Sequence, residues 1–240
     1  MKIGIFSDVH GNATALRNCL RFFKNIQVER LFFLGDIVGY FPNAKEALEL
    51  LDTVSAHCLM GNHDAMLVGK LEVPPNRDVV YQLSKIRIET EIKYIEQIKS
   101  RSSQHFEVIG STRMTFVHGS PADPLNGYIY PDTDLGGFED LATDVVFMGH
   151  THRPFIRTAG NVMVVNVGSV GLPRDNGNLS SVAVFDTDSR VCEIFRIPFR
   201  LQDLLEANGD AIHSSVRECL SRNELNVIGT VSSSARLGPV

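Results

Sequence analysis

Five short islands collect most of the metal-capable side chains that this sequence places beside a glycine: Asp8-Val9-His10-Gly11-Asn12, Gly35-Asp36, Gly61-Asn62-His63-Asp64, His118-Gly119 and Gly149-His150-Thr151-His152. Most of them follow an apolar run that reads as a buried strand. Carboxylates, an amide oxygen and imidazoles delivered from successive strand ends form a donor set for hard or borderline divalent cations. Two such cations held roughly 3.5–4 Å apart can activate a water and stabilise a phosphoryl transition state together.

Asp8 and His10 lie two apart at a strand end, so their side chains are expected on one side. Together they make half a site for Mn²⁺, Fe or Zn²⁺. Asp36, from the next strand end, has two oxygens with which to bridge two ions, and Asn62 offers a neutral carbonyl oxygen. His118, His150 and His152 end two later strands. The neighbouring glycines permit tight turns and close backbone approach to an ion or a phosphate. Each element alone is weak: a single histidine after a strand is ordinarily a surface or capping residue, Gly-Asp is a common turn, and an isolated Asn62 reads as turn chemistry. All of them in this order, at strand ends, are much harder to obtain by chance.

The elements that must carry these residues follow from apolar spacing. Residues 2–7, 31–34 and 54–60 read as strands, with helices over 12–24 (Leu16, Leu20 and Phe23 on one face) and 43–51. That alternation predicts a mainly parallel first half with right-handed crossovers. Pro74-Pro75 breaks the chain, and residues 77–99 read as a helix with an isoleucine stripe, Ile88, Ile92, Ile95 and Ile98. It is expected as a helical insertion, about 74–100, that covers one side of the site. Strands are expected at 106–109, 114–117, 145–148, 162–166, 181–185 and 191–197, then a helix over 201–222; residues 226–240 carry no assignment. With no linker or repeat to divide the chain, one domain is expected over 1–200, followed by a C-terminal helix and tail over 201–240.

Bulk properties narrow the function classes. Of 240 residues, 43% are hydrophobic and 21% charged, enough apolar content for a substantial core. The net charge of −5 argues against a general nucleic-acid binder, although a local basic patch remains compatible with it. Cys19, Cys58, Cys192 and Cys219 form no CxxC pair and read as small buried hydrophobes. No leader and no apolar run long enough to span a bilayer is found, so the cytoplasm is the expected location. His57, His105 and His213 fall outside every island and read as ordinary surface or core residues.

The series Asp-x-His, Gly-Asp, Gly-Asn-His-Asp, His-Gly and Gly-His-x-His resembles the calcineurin-like metallophosphoesterase superfamily, and its small bacterial and archaeal phosphodiesterase branch most. The stretches from Asn166 to Arg174 and from His118 to Gly127 resemble that branch too, and the likeness runs from about residue 1 to 197. It implies an α/β fold, a four-layer αββα sandwich of two mixed β-sheets flanked by helices, with metals at the strand ends. It implies one ion on Asp8, His10, Asp36 and His152 and another on Asp36, Asn62, His118 and His150, with Asp36 bridging. A metal-bridging hydroxide would attack phosphorus in line, and His63 would stabilise or protonate the leaving oxygen. Mn²⁺ is the first expectation for both ions, with Fe, Zn²⁺ or Ni²⁺ as alternatives.

Asn12 and Arg174 are candidates for contacts to phosphate oxygens, with a structural salt bridge as the plain alternative for Arg174. The chain departs from the superfamily's protein phosphatases at Gly39, where those enzymes place an Asp that orients their catalytic histidine. Asp64 is left either to orient His63 or to cap a helix. The activity implied is hydrolysis of phosphodiester or nucleotide substrates, with a small phosphorylated molecule as partner. Dinucleoside polyphosphate hydrolysis and, further off, a metal-binding protein-interaction scaffold are the alternatives. Tyr128 and Tyr130, in the loop 121–131, could stack on a base or pack on the surface.

Overall fold

Alternation decides which face each strand presents. In β1 (Lys2–Phe6), Ile3 and Ile5 pack into a core between two sheets, whereas Phe6 joins a second core beneath helices. Gly4 faces those helices too, and a Cβ there would press on Phe23 and Leu31. β2 (Arg30–Phe33) repeats the pattern, with Phe32 facing the other sheet and Phe33 the helices. The computed structural model describes residues 1–42, 44–223 and 234–238.

Two mixed sheets result. The six-stranded sheet runs β11-β10-β9-β1-β2-β3, where β3 is Ala56–Cys58, β9 Leu179–Asp186, β10 Val191–Pro198 and β11 Ser234–Arg236. β1, β2 and β3 are parallel, while β9 runs antiparallel to β1. The five-stranded sheet runs β4-β5-β6-β8-β7, from β4 (Gln104–Ile109), β5 (Thr112–Val117), β6 (Val145–Met148), β7 (Phe155–Ala159) and β8 (Val162–Asn166). β5, β6 and β8 are parallel. Each sheet therefore contains a parallel triplet, at one edge of the six-stranded sheet and at the centre of the five-stranded one, and both triplets end on the same cleft.

Helices α1 (Ala13–Asn25) and α2 (Ala44–Asp52) bury Leu16, Phe23, Leu48 and Leu51 against the six-stranded sheet. α7 (Leu201–Asn208) and α8 (Ser214–Leu220) join the same core through Leu204, Val216 and Leu220. The expected α/β architecture of two mixed sheets flanked by helices is present. Over the outer face of the five-stranded sheet the described chain forms turns rather than helix, with Leu135 and Phe138 closing a small core on Val146 and Val164.

Three elements depart from the sequence reading. The single helix expected over 77–99 is three: α4 (Asp78–Tyr81), α5 (Leu83–Glu89) and α6 (Ile92–Ser100). The chain turns at Gln82, which is left-handed (φ 58°), and again at Thr90, which is extended. These breaks rotate the isoleucine stripe apart, so that Ile95 and Ile98 are buried while Ile88 and Ile92 are 86% and 73% exposed. The helix expected over 201–222 likewise breaks between α7 and α8. β7 was not anticipated, although the turn at Gly160-Asn161 between two apolar runs is a hairpin signal. Of the unassigned end, residues 234–236 pair with β10, and 224–233 and 239–240 lie outside the described residues. No helix among the described residues is long and apolar enough to cross a membrane.

Candidate metal centre

The ligand residues sit in loops that leave the two parallel triplets. Beyond β1 and β2 the chain continues side by side: Asp8 N donates to Gly35 O (3.0 Å), His10 N to Asp36 O (3.0 Å) and Gly11 N to Ile37 O (2.8 Å). Asp8, His10, Asp36, His150 and His152 all have left-handed backbone, with φ between 54° and 64°. That region costs a residue with a Cβ about 1–2 kcal/mol, least for Asp, Asn and His. Such strain concentrates at functional sites. It also corrects the reading of Asp8 and His10: β1 stops at Phe6, and the two converge because tight left-handed turns aim them, not because a pleat does.

Three imidazoles are oriented in the same way. Backbone carbonyls, which only accept, face the Nδ1 atoms of His10 (Val38 O, 2.9 Å), His118 (Leu34 O, 3.1 Å) and His152 (Leu172 O, 2.6 Å). The proton therefore sits on Nδ1 and Nε2 points inward. Each carboxylate is also anchored by one oxygen. Asp8 Oδ2 accepts from His150 N (3.0 Å) and Asp36 Oδ1 from His63 N (2.8 Å). That leaves Asp8 Oδ1 facing His152 Nε2 (3.2 Å) and His10 Nε2 (3.7 Å). Asp36 Oδ2 faces His10 Nε2 (3.8 Å) and His118 Nε2 (3.4 Å), so this single oxygen, rather than both, looks towards the two groups. Asn62 Oδ1 and His150 Nδ1 approach His118 Nε2 at 3.0 and 3.2 Å.

These atoms fit divalent cations better than they fit one another. His10 and His152 bring two Nε2 atoms within 3.1 Å, and two neutral imidazoles with protons on Nδ1 meet there lone pair to lone pair. Asp8 Oδ1 and His150 Nε2 are buried without a hydrogen-bond partner. Donor atoms about 2.0–2.2 Å from a shared ion lie about 3 Å apart. The ligand-capable atoms fall into the groups Asp8, His10, His152 and Asp36, His118, His150, and a third group joins His10, Asp36 and His63. Burial lowers the pKa of His63 and His150 to about 3 and of His152 to about 4. In His118 burial is outweighed by Asp36 and Asp8, which raise it to about 9. Burial opposes ionisation of Asp8 and Asp36 as well, but the surrounding imidazoles hold both well below the usual carboxylate range.

His63 stands beside this set, its ring 4.9 Å from His10, 4.9 Å from Tyr40 and 4.4 Å from Tyr81. Its Nδ1 is buried and has no hydrogen-bond partner. Gly39, with φ +101°, lies against that atom, and any Cβ at position 39 would run into it. Position 39 is thus closed to any side chain by the histidine itself. Asp64 does not take over that task. It accepts from Asp36 N (2.9 Å), Ile37 N (3.0 Å) and Gly61 N (3.3 Å), capping α3 (Asn62–Leu67) and clamping the Asp36 loop, with Arg101 at 3.7 Å.

Asn12 is not a phosphate contact. It is fully buried, its Oδ1 caps α1 by accepting from Ala15 N (3.0 Å), and its Nδ2 donates to Gly171 O (2.9 Å). Arg174 is partly buried and makes no salt bridge among the described residues, so the plain alternative for it falls away. Tyr128 packs on His150 at 4.1 Å and beside Tyr130. His57 and His105 stack on each other at 3.9 Å, away from the ligand set, and His213 caps α8. All four cysteines are free.

Several contributors escaped the sequence reading. Asn166 clamps the second ligand turn, donating to Gly149 O (2.7 Å) and Thr151 Oγ1 (3.0 Å). Ser169 Oγ donates to Asp8 O (2.7 Å). An Asn and a Ser just past an apolar strand were the available signal. Tyr40 and Tyr81 gave none.

Acceptors that no protein donor satisfies, gathered where two α/β sheets end, place the chain among the metal-dependent phosphoesterases. It belongs to the calcineurin-like phosphoesterase superfamily, whose domain matches residues 1–190. An uncharacterized protein of Methanocaldococcus jannaschii is 32% identical over 227 residues, covering 85% of this chain and 90% of its own. Phosphodiesterase YfcE of Escherichia coli is 23% identical over 188 residues, 78% of this chain and 89% of its own. A metallophosphoesterase from Sphaerobacter thermophilus superposes with a TM-score of 0.76 at 27% identity, covering 92% of this chain and 98% of its own. The small bacterial and archaeal branch suggested by the motifs is the one these relatives represent.

Proposed function

We infer that the protein is a dinuclear phosphodiesterase for small phosphorylated substrates. One cation would be held by Asp8, His10, Asp36 and His152, the other by Asp36, Asn62, His118 and His150. The observation that carries this reading is Asp36 Oδ2, which faces His10 of one group and His118 of the other while Oδ1 is anchored on His63 N. Bound there, two divalent cations would lower the pKa of a water and neutralise charge on the phosphoryl group. The chain's own residues do the rest. Backbone carbonyls hold the three Nε2 atoms inward, and His150 N and Asp64 fix the two carboxylate loops. His63, packed against both Tyr40 and Tyr81, is positioned to give a hydrogen bond or a proton to the leaving oxygen.

Nitrogen and oxygen donors with one amide favour Mn²⁺ or Fe, and admit Zn²⁺ or Ni²⁺, over thiolate-selecting ions. Residues 1–200 act as the catalytic domain, with α4–α6 as an insertion beside the site. Four free cysteines support a cytoplasmic setting. The test is hydrolysis of bis-p-nitrophenyl phosphate and p-nitrophenyl phosphate by metal-stripped protein with and without added Mn²⁺. Diester cleavage that needs the metal supports the reading. Protein that carries two ions and cleaves neither ester would shift the reading to a narrow nucleotide specificity or to a scaffold.

A further inference from the structure

Next to the candidate metal centre lies a cavity of about 400 Å³ whose wall includes Arg77, Arg174, Arg222, Tyr40, Tyr81 and Tyr128. The two spaces share walls. Tyr81 is 4.4 Å from His63, Tyr40 4.7 Å from His10 and Tyr128 4.1 Å from His150, ring to ring. Arg174 hangs from a ligand loop, its backbone N donating to His152 O at 3.2 Å. The three arginines come from the start of α4, from the segment after β8 and from just past α8, so only the folded chain brings them together.

Among the described residues no acid pairs with them. Elsewhere arginines pair with acids: Arg30 with Glu107 (2.6 Å), Arg113 with Asp144 (2.9 Å) and Arg196 with Asp175 (2.5 Å). No carboxylate lines the cavity, and the side chains of Arg77, Arg174 and Arg222 have no ion pair or hydrogen bond among the described residues. In a chain of net charge −5, three guanidinium groups thus line one cavity with no described acid among its walls. Partly buried Arg174 has lost hydration without gaining a counter-ion among the described residues. An anionic guest relieves that cost.

Resting on the phosphodiesterase reading, we propose that this cavity holds a second, non-scissile phosphoryl group, making polyphosphorylated nucleotides the preferred substrates. A planar guanidinium matches phosphate oxygens two at a time, and the volume suits a phosphoryl group with part of a nucleoside beside the tyrosine rings. A simple diester with two neutral arms presents its one charge to the cations and leaves the arginines idle.

Two measurements test the proposal. Calorimetric titration of metal-free protein with adenosine 5′-monophosphate should give binding that adenosine does not give. Arg174→Met should weaken it on the order of 10- to 100-fold, Arg174→Lys less, and exposed Arg222→Met only a few-fold. With Mn²⁺ restored, kcat/KM for diadenosine tetraphosphate relative to bis-p-nitrophenyl phosphate should fall about tenfold or more in Arg174→Met, mainly through KM. Absent nucleotide binding by wild-type protein, or binding equally tight in every variant, overturns the proposal. So does an equal loss on both substrates, which would put Arg174 at the scissile group. If the monophosphate binds as expected but neither ester is cleaved, the cavity assignment stands and the phosphodiesterase reading fails.

Discussion

Both parallel triplets end at one cleft, but they bring different chemistry to it. β1, β2 and β3 supply Asp8, His10, Asp36 and Asn62, and with them all the negative charge of the ligand set. β5 and β6 supply His118, His150 and His152, neutral donors when deprotonated. The anchoring differs as well. Asp36 is tied within its own sheet through His63 N and Asp64, whereas Asp8 Oδ2 takes the N–H of His150 from the other sheet. The first sheet therefore sets the charge of the centre. The second sets its shape, through turns that Asn166 locks. Substitutions on the two sides should fail differently.

The largest effect is expected from Asp36→Asn, which removes the carboxylate proposed to bridge the two cations. Turnover should fall on the order of 10³-fold and bound metal should drop below two ions per chain. Unchanged activity at full metal content would remove the bridging role. His63→Ala should lower kcat about 10²- to 10³-fold while metal analysis still finds two ions. Loss of an ion there would make His63 a ligand, as its grouping with His10 and Asp36 allows. On the second sheet, Asn166→Ala should cost about 10- to 100-fold in metal affinity by loosening the Gly149–Thr151 turn, with activity recovered at high Mn²⁺. If added metal restores nothing, the second sheet does more than shape the site. The smallest effect belongs to Asn12→Ala, about 1–2 kcal/mol of stability in denaturant unfolding with KM unchanged. A raised KM would return Asn12 to the substrate.

That the candidate ligands would gather was legible because each lies in a short glycine-containing island after an apolar run, a local pattern that survives folding. Asn12 was misread for the same reason. It is contiguous with Asp8 and His10, but α1 begins at Ala13 and claims its side chain as a cap. The helix expected over 77–99 looked continuous because nothing in the sequence marks Gln82 as left-handed. Its side chain is held by Tyr40 O and Ala211 O, partners far along the chain in either direction. Asp64 had two readings, and only the position of the Asp36 loop decides between them. The arginine-lined cavity was invisible, since Arg77, Arg174 and Arg222 become neighbours only through tertiary packing.

The placement of β1 has a consequence for how the molecule is made. β1 lies between β2 and β9, with Ile3 beside Phe185, and the whole second sheet intervenes in the chain before β9. A ribosome adding about 5–20 residues per second needs on the order of ten seconds or more to reach β9. Until then β1 keeps one open edge, and Ile3 and Ile5 wait for their cover. Non-local pairing of this kind slows folding and leaves nascent chains prone to aggregate. Chaperone capture during synthesis should therefore persist until residues 179–186 have emerged, and ribosome-bound chains halted before β9 should be more sensitive to protease than chains halted after it.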